Sequence, residues 1–134
     1  MIEKTAVYGI WRLIKGVSKD SAGNLRPPPY GGDSAIALLA LHENGRMVSV
    51  LCDSRMELQG AEEREYTSYC GSFTFDGSTL VTKVDACSDP KRFGTEQVRK
   101  VRLEDKLLVL EPPPREKNGD LEYRTMFWER IGDA

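Results

Sequence analysis

Histidine is nearly missing from this chain of 134 residues, since His42 is the only one, and cysteine occurs three times, at Cys52, Cys70 and Cys87. The cysteines stand far apart and none belongs to a Cys-x-x-Cys pair, so no zinc ligand set can be assembled, and their odd number argues against a disulfide framework. They are expected to be reduced, buried packing thiols. With a single imidazole, beside the turn Glu43-Asn44-Gly45, no nucleophile–base pair can be picked out either, and His42 reads as a solvated loop residue. Dense positive charge is lacking too. The 19 Lys and Arg are scattered among 21 Asp and Glu, for a net charge of -2, without the basic stripe that displaces counterions from a phosphate backbone. Nucleic acid is therefore not an expected partner. No stretch approaches the roughly 20 apolar residues of a membrane span, and Met1-Ile2-Glu3-Lys4 opens no apolar leader. The expectation is a cytoplasmic protein with no membrane association, no metal and no cofactor.

What is present is the pattern of a β-rich meander. Hydrophobic residues make up 40% and charged residues 30% of the sequence, enough for one core and one domain over residues 1–134. Apolar residues recur mainly at a spacing of two and are interrupted at short intervals by turn residues, the signature of a sandwich or barrel. The turns are Ser21-Ala22-Gly23-Asn24, Glu43-Asn44-Gly45-Arg46, Asp76-Gly77-Ser78, Glu104-Asp105-Lys106 and Asn118-Gly119-Asp120, all rich in residues that tolerate positive φ or bond their own backbone. They mark off about eight strands, at 8–19, 35–42, 46–53, 66–75, 79–87, 96–103, 106–111 and 122–131.

Three segments break the rhythm. Arg26-Pro27-Pro28-Pro29-Tyr30-Gly31-Gly32 cannot donate ladder bonds at three successive prolines and reads as an extended loop, a candidate rim or lid. Residues 55–65 contain the helix formers Ala61-Glu62-Glu63-Arg64-Glu65, for which two helical turns are expected. In Ser88-Asp89-Pro90-Lys91-Arg92-Phe93-Gly94 a capping residue precedes a proline and a glycine closes the run, which predicts a one-turn helix. Its Arg92-Phe93 could cap a cavity mouth with an aromatic or simply staple the turn to the sheet.

Alternation assigns faces. In strand 66–75 the face Tyr69, Gly71, Phe73, Phe75 is aromatic, whereas Cys70, Ser72 and Thr74 are small and polar. In strand 96–103 the face Gln97, Arg99, Val101, Leu103 mixes apolar and polar groups, a mixture that suits a pocket better than a dry core. An inward Arg99 needs a partner, because an unpaired buried charge is too costly to keep. Strand 35–42 is apolar on both faces, so its outer face is expected to be covered by the short helix, the Pro-rich loop or a second subunit in a homodimer. Lys83 and Asp85 share a strand face and read as exposed, while Met47 and Met56 are either pocket lining or core filling.

Gly9-Ile10-Trp11-Arg12-Leu13, Asn44-Gly45-Arg46-Met47, Tyr69-Cys70-Gly71-Ser72-Phe73-Thr74-Phe75-Asp76-Gly77, Gly94-Thr95-Glu96-Gln97-Val98-Arg99 and Phe127-Trp128-Glu129-Arg130-Ile131 occur in this order. Together they resemble the bacterial and fungal lipocalin-like domain family over nearly the whole chain. The resemblance implies an all-β fold, a single antiparallel up-and-down barrel of eight strands with one or two short helical turns, closed at one end and open at the other. It further implies that Trp11 plugs the closed end and that a basic side chain of the last strand, Arg130 or else Arg124, covers its ring. The sequence departs from the family pattern after Asp76-Gly77, where histidines are expected and Leu80-Val81-Thr82-Lys83-Val84-Asp85 stands instead.

Tyr69, Phe73, Thr82, Gln97, Arg99 and Tyr123 are the candidate pocket residues, with an internal hydrogen-bond network as the competing role for the polar ones. Two functions fit. One is binding of a small hydrophobic metabolite in the interior. The other is cofactor-independent cyclase or isomerase chemistry on a polyketide- or terpenoid-like substrate, with Tyr69 and Arg99 as acid or charge stabiliser.

Overall fold

Alternating strands joined by tight turns build this chain from hairpins, and a computed structural model describes residues 2–134. The strands are β1 (Gly9–Lys19), β2 (Leu25–Arg26), β3 (Ala35–Leu41), β4 (Arg46–Asp53), β5 (Tyr66–Phe75), β6 (Thr79–Cys87), β7 (Glu96–Glu104), β8 (Leu107–Glu111), β9 (Arg115–Lys117) and β10 (Asp120–Gly132). Every pairing is antiparallel, in the order β2-β1-β3-β4-β5-β6-β7-β8-β10-β9. Pairing of β1 with β10 closes the sheet into a barrel of eight strands, and β2 and β9 are short flaps on its rim.

The two ends of the barrel differ. Tight turns close one end: Asp76 Oδ1 accepts from the Ser78 and Thr79 amides at 2.9 and 2.7 Å, and Asp105 and Lys106 both adopt positive φ (49° and 68°), as a type I′ hairpin requires. The long connections 20–34, 54–65, 88–95 and 112–119 mostly gather at the other end, which stays open. The Pro-rich segment forms a 3-10 turn over Pro29–Ser34 with Tyr30 buried beneath it, and Pro90–Arg92 forms another, capped by Asp89 Oδ1 accepting from the Lys91 amide at 3.0 Å. No helix forms in 55–65. The helix formers there have tertiary partners instead: Glu62 bonds Arg55 and the Gln59 amide, Arg64 caps the Asp53 and Arg55 carbonyls, and Glu65 reaches Arg124. A short run of helical propensity does not outweigh that many charge-assisted contacts.

Val7, Trp11, Leu41, Phe75, Leu108 and Trp128 pack the closed end, all at most 5% exposed. The Trp11 indole donates to the Val7 carbonyl at 3.0 Å, and the Arg130 guanidinium lies over its ring, 4.6 Å from the centroid, while donating to the Tyr8 and Ala6 carbonyls. Gly9 stands beside this stack at φ +145°, and a Cβ there would collide with the Arg130 guanidinium, so the Gly-x-Trp spacing makes room for the cover.

The outside of the barrel departs from expectation at the cysteines. The thiols of Cys52, Cys70 and Cys87 are half-exposed rather than buried: Cys52 and Cys70 lie off the core face of their strands, and Cys87, which pairs with Tyr69 beyond a register shift, ends β6 at the open rim. Within the chain, neither the short helical turns nor the Pro-rich segment covers the outer face of β3: Ile36 and Leu38 are 64% and 47% exposed, and on the paired strand Val48 and Val50 are 43% and 40% exposed. The short 3-10 turns and the Pro-rich segment cluster at the barrel ends and leave this wall bare within the chain.

Candidate lipocalin-type cavity

Residues of seven barrel strands, β3 to β8 and β10, with Arg115 of the β9 flap, enclose a cavity of about 340 Å³ below the open end. Its depth is apolar, with Leu39, Met47, Leu80, Leu110, Met126 and Trp128 in the wall. Its upper part is polar. Tyr69 and Thr82 line it from β5 and β6, Gln97 and Arg99 from β7, and Arg92 reaches it from the 88–95 connection. Four of the six sequence-level candidates thus share one cavity.

Phe73 and Tyr123 do not line this cavity. Phe73 has the expected face but lies nearer the closed end, where its ring meets Tyr8 edge-on with centroids 6.3 Å apart. Alternation assigns a side chain to a face and leaves its depth open. Tyr123 is 44% exposed because it has the wrong parity: Trp128 and Met126 point inward, so the inward residues before them are Arg124 and Glu122. Phe93 is likewise 57% exposed, and its neighbour Arg92 is the one at the mouth. Met47 lines the cavity, whereas Met56 is 93% exposed.

Arg99 finds a neutral partner. Its Nη2 donates to Gln97 Oε1 at 3.0 Å and its Nη1 to the Val98 carbonyl at 2.9 Å; Arg92 Nη1 approaches the same Gln97 oxygen at 3.4 Å. Two guanidinium groups therefore converge on one amide oxygen, and no carboxylate lies within salt-bridge distance of Arg99 among the described residues. A half-exposed mouth tolerates this because water solvates the remaining donors.

A second polar cluster lies outside the sequence-level candidates. Glu122 is 2% exposed and accepts from Ser18 at 2.7 Å, Arg115 at 2.9 Å and Arg124 at 3.1 Å, with Lys117 at 3.7 Å. Burial opposes its ionisation, but the Ser18 and Arg115 hydrogen bonds and the Arg124 and Lys117 charges outweigh that and hold the carboxyl down to about 2. Arg124 continues the chain of contacts to Glu65 at 3.0 Å and lies 5.7 Å from the Tyr30 ring centroid. Glu65 in turn accepts from the Tyr30 amide at 2.7 Å, and the Tyr30 hydroxyl bonds Thr67 at 2.9 Å. Burial, more than any neighbouring charge, pushes the Tyr30 phenol up from its ordinary value. The Pro-rich segment is thereby tied across one side of the mouth to β5 and β10.

The signal for Ser18 was hidden by a bulge. Leu13 pairs with Trp128 but Lys15 pairs with Phe127, so Ile14 is the extra residue and the inward parity of β1 flips after it. Gly16 and Ser18 then face in, where an unbroken count from Trp11 would select Lys15 and Val17.

A family model described as a lipocalin-like domain matches residues 8–131. The chain belongs to the lipocalin-like domain family. No curated protein matches it. A lipocalin-like barrel with an open, mostly apolar interior is a ligand-binding scaffold. Among the described residues no group of His, Cys, Asp and Glu is arranged to hold a metal ion, and no helix is long and apolar enough to cross a membrane.

Proposed function

We infer that this lipocalin-like barrel binds a small, mainly apolar metabolite inside its cavity, with a polar end turned toward Gln97 and Arg99. The observation that carries the reading is the division of one cavity into an apolar depth and a mouth where Arg99, without a carboxylate partner, and Arg92 share a single amide oxygen. Such a wall offers spare donors to an incoming carboxylate, phenolate or carbonyl while the aliphatic depth takes the hydrocarbon body.

The cyclase or isomerase reading has Tyr69 and Arg99 on the same wall in its favour. Two of the three carboxylates that line the cavity are already engaged, Glu122, held at about 2, and Glu65, bound by Arg124 and the Tyr30 amide, and the third, Glu96, is exposed at the rim. Passive binding is the better-supported reading.

Mass spectrometry of organic extracts from purified protein identifies the occupant, and incubation with that compound tests for turnover. The expected result is an unchanged compound whose affinity falls about tenfold in Arg99→Ala, the loss of one charge-assisted hydrogen bond. Conversion of the compound that disappears in Tyr69→Phe or Arg99→Ala would replace the carrier with the enzyme. A cavity that takes up no apolar compound would remove both.

A further inference from the structure

The two indoles of this protein are treated differently. Trp11 Nε1 has the Val7 carbonyl, but Trp128 Nε1 is the one buried side-chain donor among the described residues with no acceptor, although Trp128 is only 3% exposed. Trp128 also forms part of the cavity wall. Its sheet neighbours are apolar: Leu13 and Leu108 flank it on the paired strands, and Met126 is its inward neighbour on β10. A buried donor left unmade is costly, and a phenyl ring could fill apolar space here without that cost.

We propose that Trp128 is a ligand-binding residue whose Nε1–H donates to a neutral oxygen acceptor at the buried end of the cavity ligand. This rests on the binding reading above and deepens it by naming the chemistry of the inner end. The acceptor is uncharged, such as a ketone, aldehyde, lactone or ether oxygen, because a carboxylate beside Leu13, Leu108 and Met126 would be desolvated without a counter-ion. Cationic side chains in this cavity stand at the other end, on Arg92, Arg99, Arg115 and Arg124. The ligand class that follows is an apolar skeleton oxygenated at its inner end, entering with any charged group last.

The test uses a matched pair of probes, 2-acetylnaphthalene and the hydrocarbon of closely similar shape, 2-isopropenylnaphthalene, titrated into wild-type protein and Trp128→Phe. The ratio of the two affinities is compared between proteins, which cancels the difference in how the two probes are hydrated. The expected result is a preference for the ketone that is about tenfold greater in wild type than in Trp128→Phe, with both probes still bound by the variant. In the wild-type protein the indole N–H resonance of Trp128, assigned by its absence from the variant, should shift downfield with the ketone and not with the hydrocarbon. An equal ratio in both proteins, or an indole resonance indifferent to the ketone, overturns the role of Trp128 while leaving the binding function standing. If neither probe binds wild-type protein, the binding function and this inference fall together. If Trp128→Phe does not fold, the resonance is assigned in wild-type protein by through-bond correlation to the Trp128 backbone, and its response to the two probes still decides the matter.

Discussion

Glu122 is the residue on which the mouth of this barrel turns. It joins β1 through Ser18, β9 through Arg115 and Lys117, and the Tyr30 segment through Arg124. Removing its charge leaves Arg115 and Arg124 facing a neutral amide, so Glu122→Gln should lose about 2–3 kcal/mol, read from the midpoint of urea unfolding. The pH dependence has a definite sign. A carboxyl held at about 2, below its ordinary 4.5, contributes stability that is complete above 4.5 and is lost as pH falls toward 2. Solvent at the open mouth screens the effect to roughly 1–2 kcal/mol. Between pH 7 and pH 3 the gap between wild type and Glu122→Gln should therefore narrow; a constant gap would show that Glu122 acts through shape alone.

At the scale of elements, the 3-10 turn over Pro29–Ser34 holds the most constrained backbone. Tyr30, Gly31 and Gly32 follow one another with φ of 56°, 79° and 65°, and a Cβ on Gly31 would strike the Asp53 carboxylate, itself 1% exposed and bonded by Arg55 at 2.7 Å. Gly31→Ala should cost about 1–3 kcal/mol and loosen the segment from the mouth. Limited proteolysis should cut within 26–34 sooner in the variant, and bound probe should dissociate faster. Elements were also what the sequence displayed best. Strand limits fell within two residues because Asp-Gly, Asn-Gly and Asp-Lys turns punctuate the alternation, and Gln97 and Arg99 were legible as inward groups from the parity of Val101. Three kinds of information were not local. The bulge at Ile14 reverses parity without a sequence signal, Phe73 needed a depth as well as a face, and Glu65 at the end of the 55–65 segment is held by the distant Tyr30 amide and Arg124. Glu122 has the inward parity counted back in twos from Trp128, although charged residues mostly lie at the surface.

Across the whole molecule, neighbouring strands from β3 to β8 are joined by short connections or single loops, whereas β1 and β10 meet from opposite ends of the sequence, Leu13 beside Trp128. Closing that seam carries the largest loop entropy in the fold. Refolding from urea should take milliseconds to seconds, and both indoles, which lie on the seam strands, should reach native emission only in the slowest phase. Amides of the β3–β4 and β5–β6 hairpins should gain protection from hydrogen exchange earlier. Simultaneous appearance of both signals would mean that the seam forms with the hairpins.

The unequal ends of the barrel bear on how such a protein can change over generations. The plug of Trp11 and Arg130, the tight turns and the Gly9 clearance all belong to the closed end, so substitutions there are answerable to folding. The long connections belong mostly to the mouth, where Arg92, Arg115 and Tyr30 approach the cavity. Descendants of this chain can therefore exchange one guest for another by rewriting the rim positions that carry no such ties, provided that Glu122, Tyr30 and Gly31 keep the rim together.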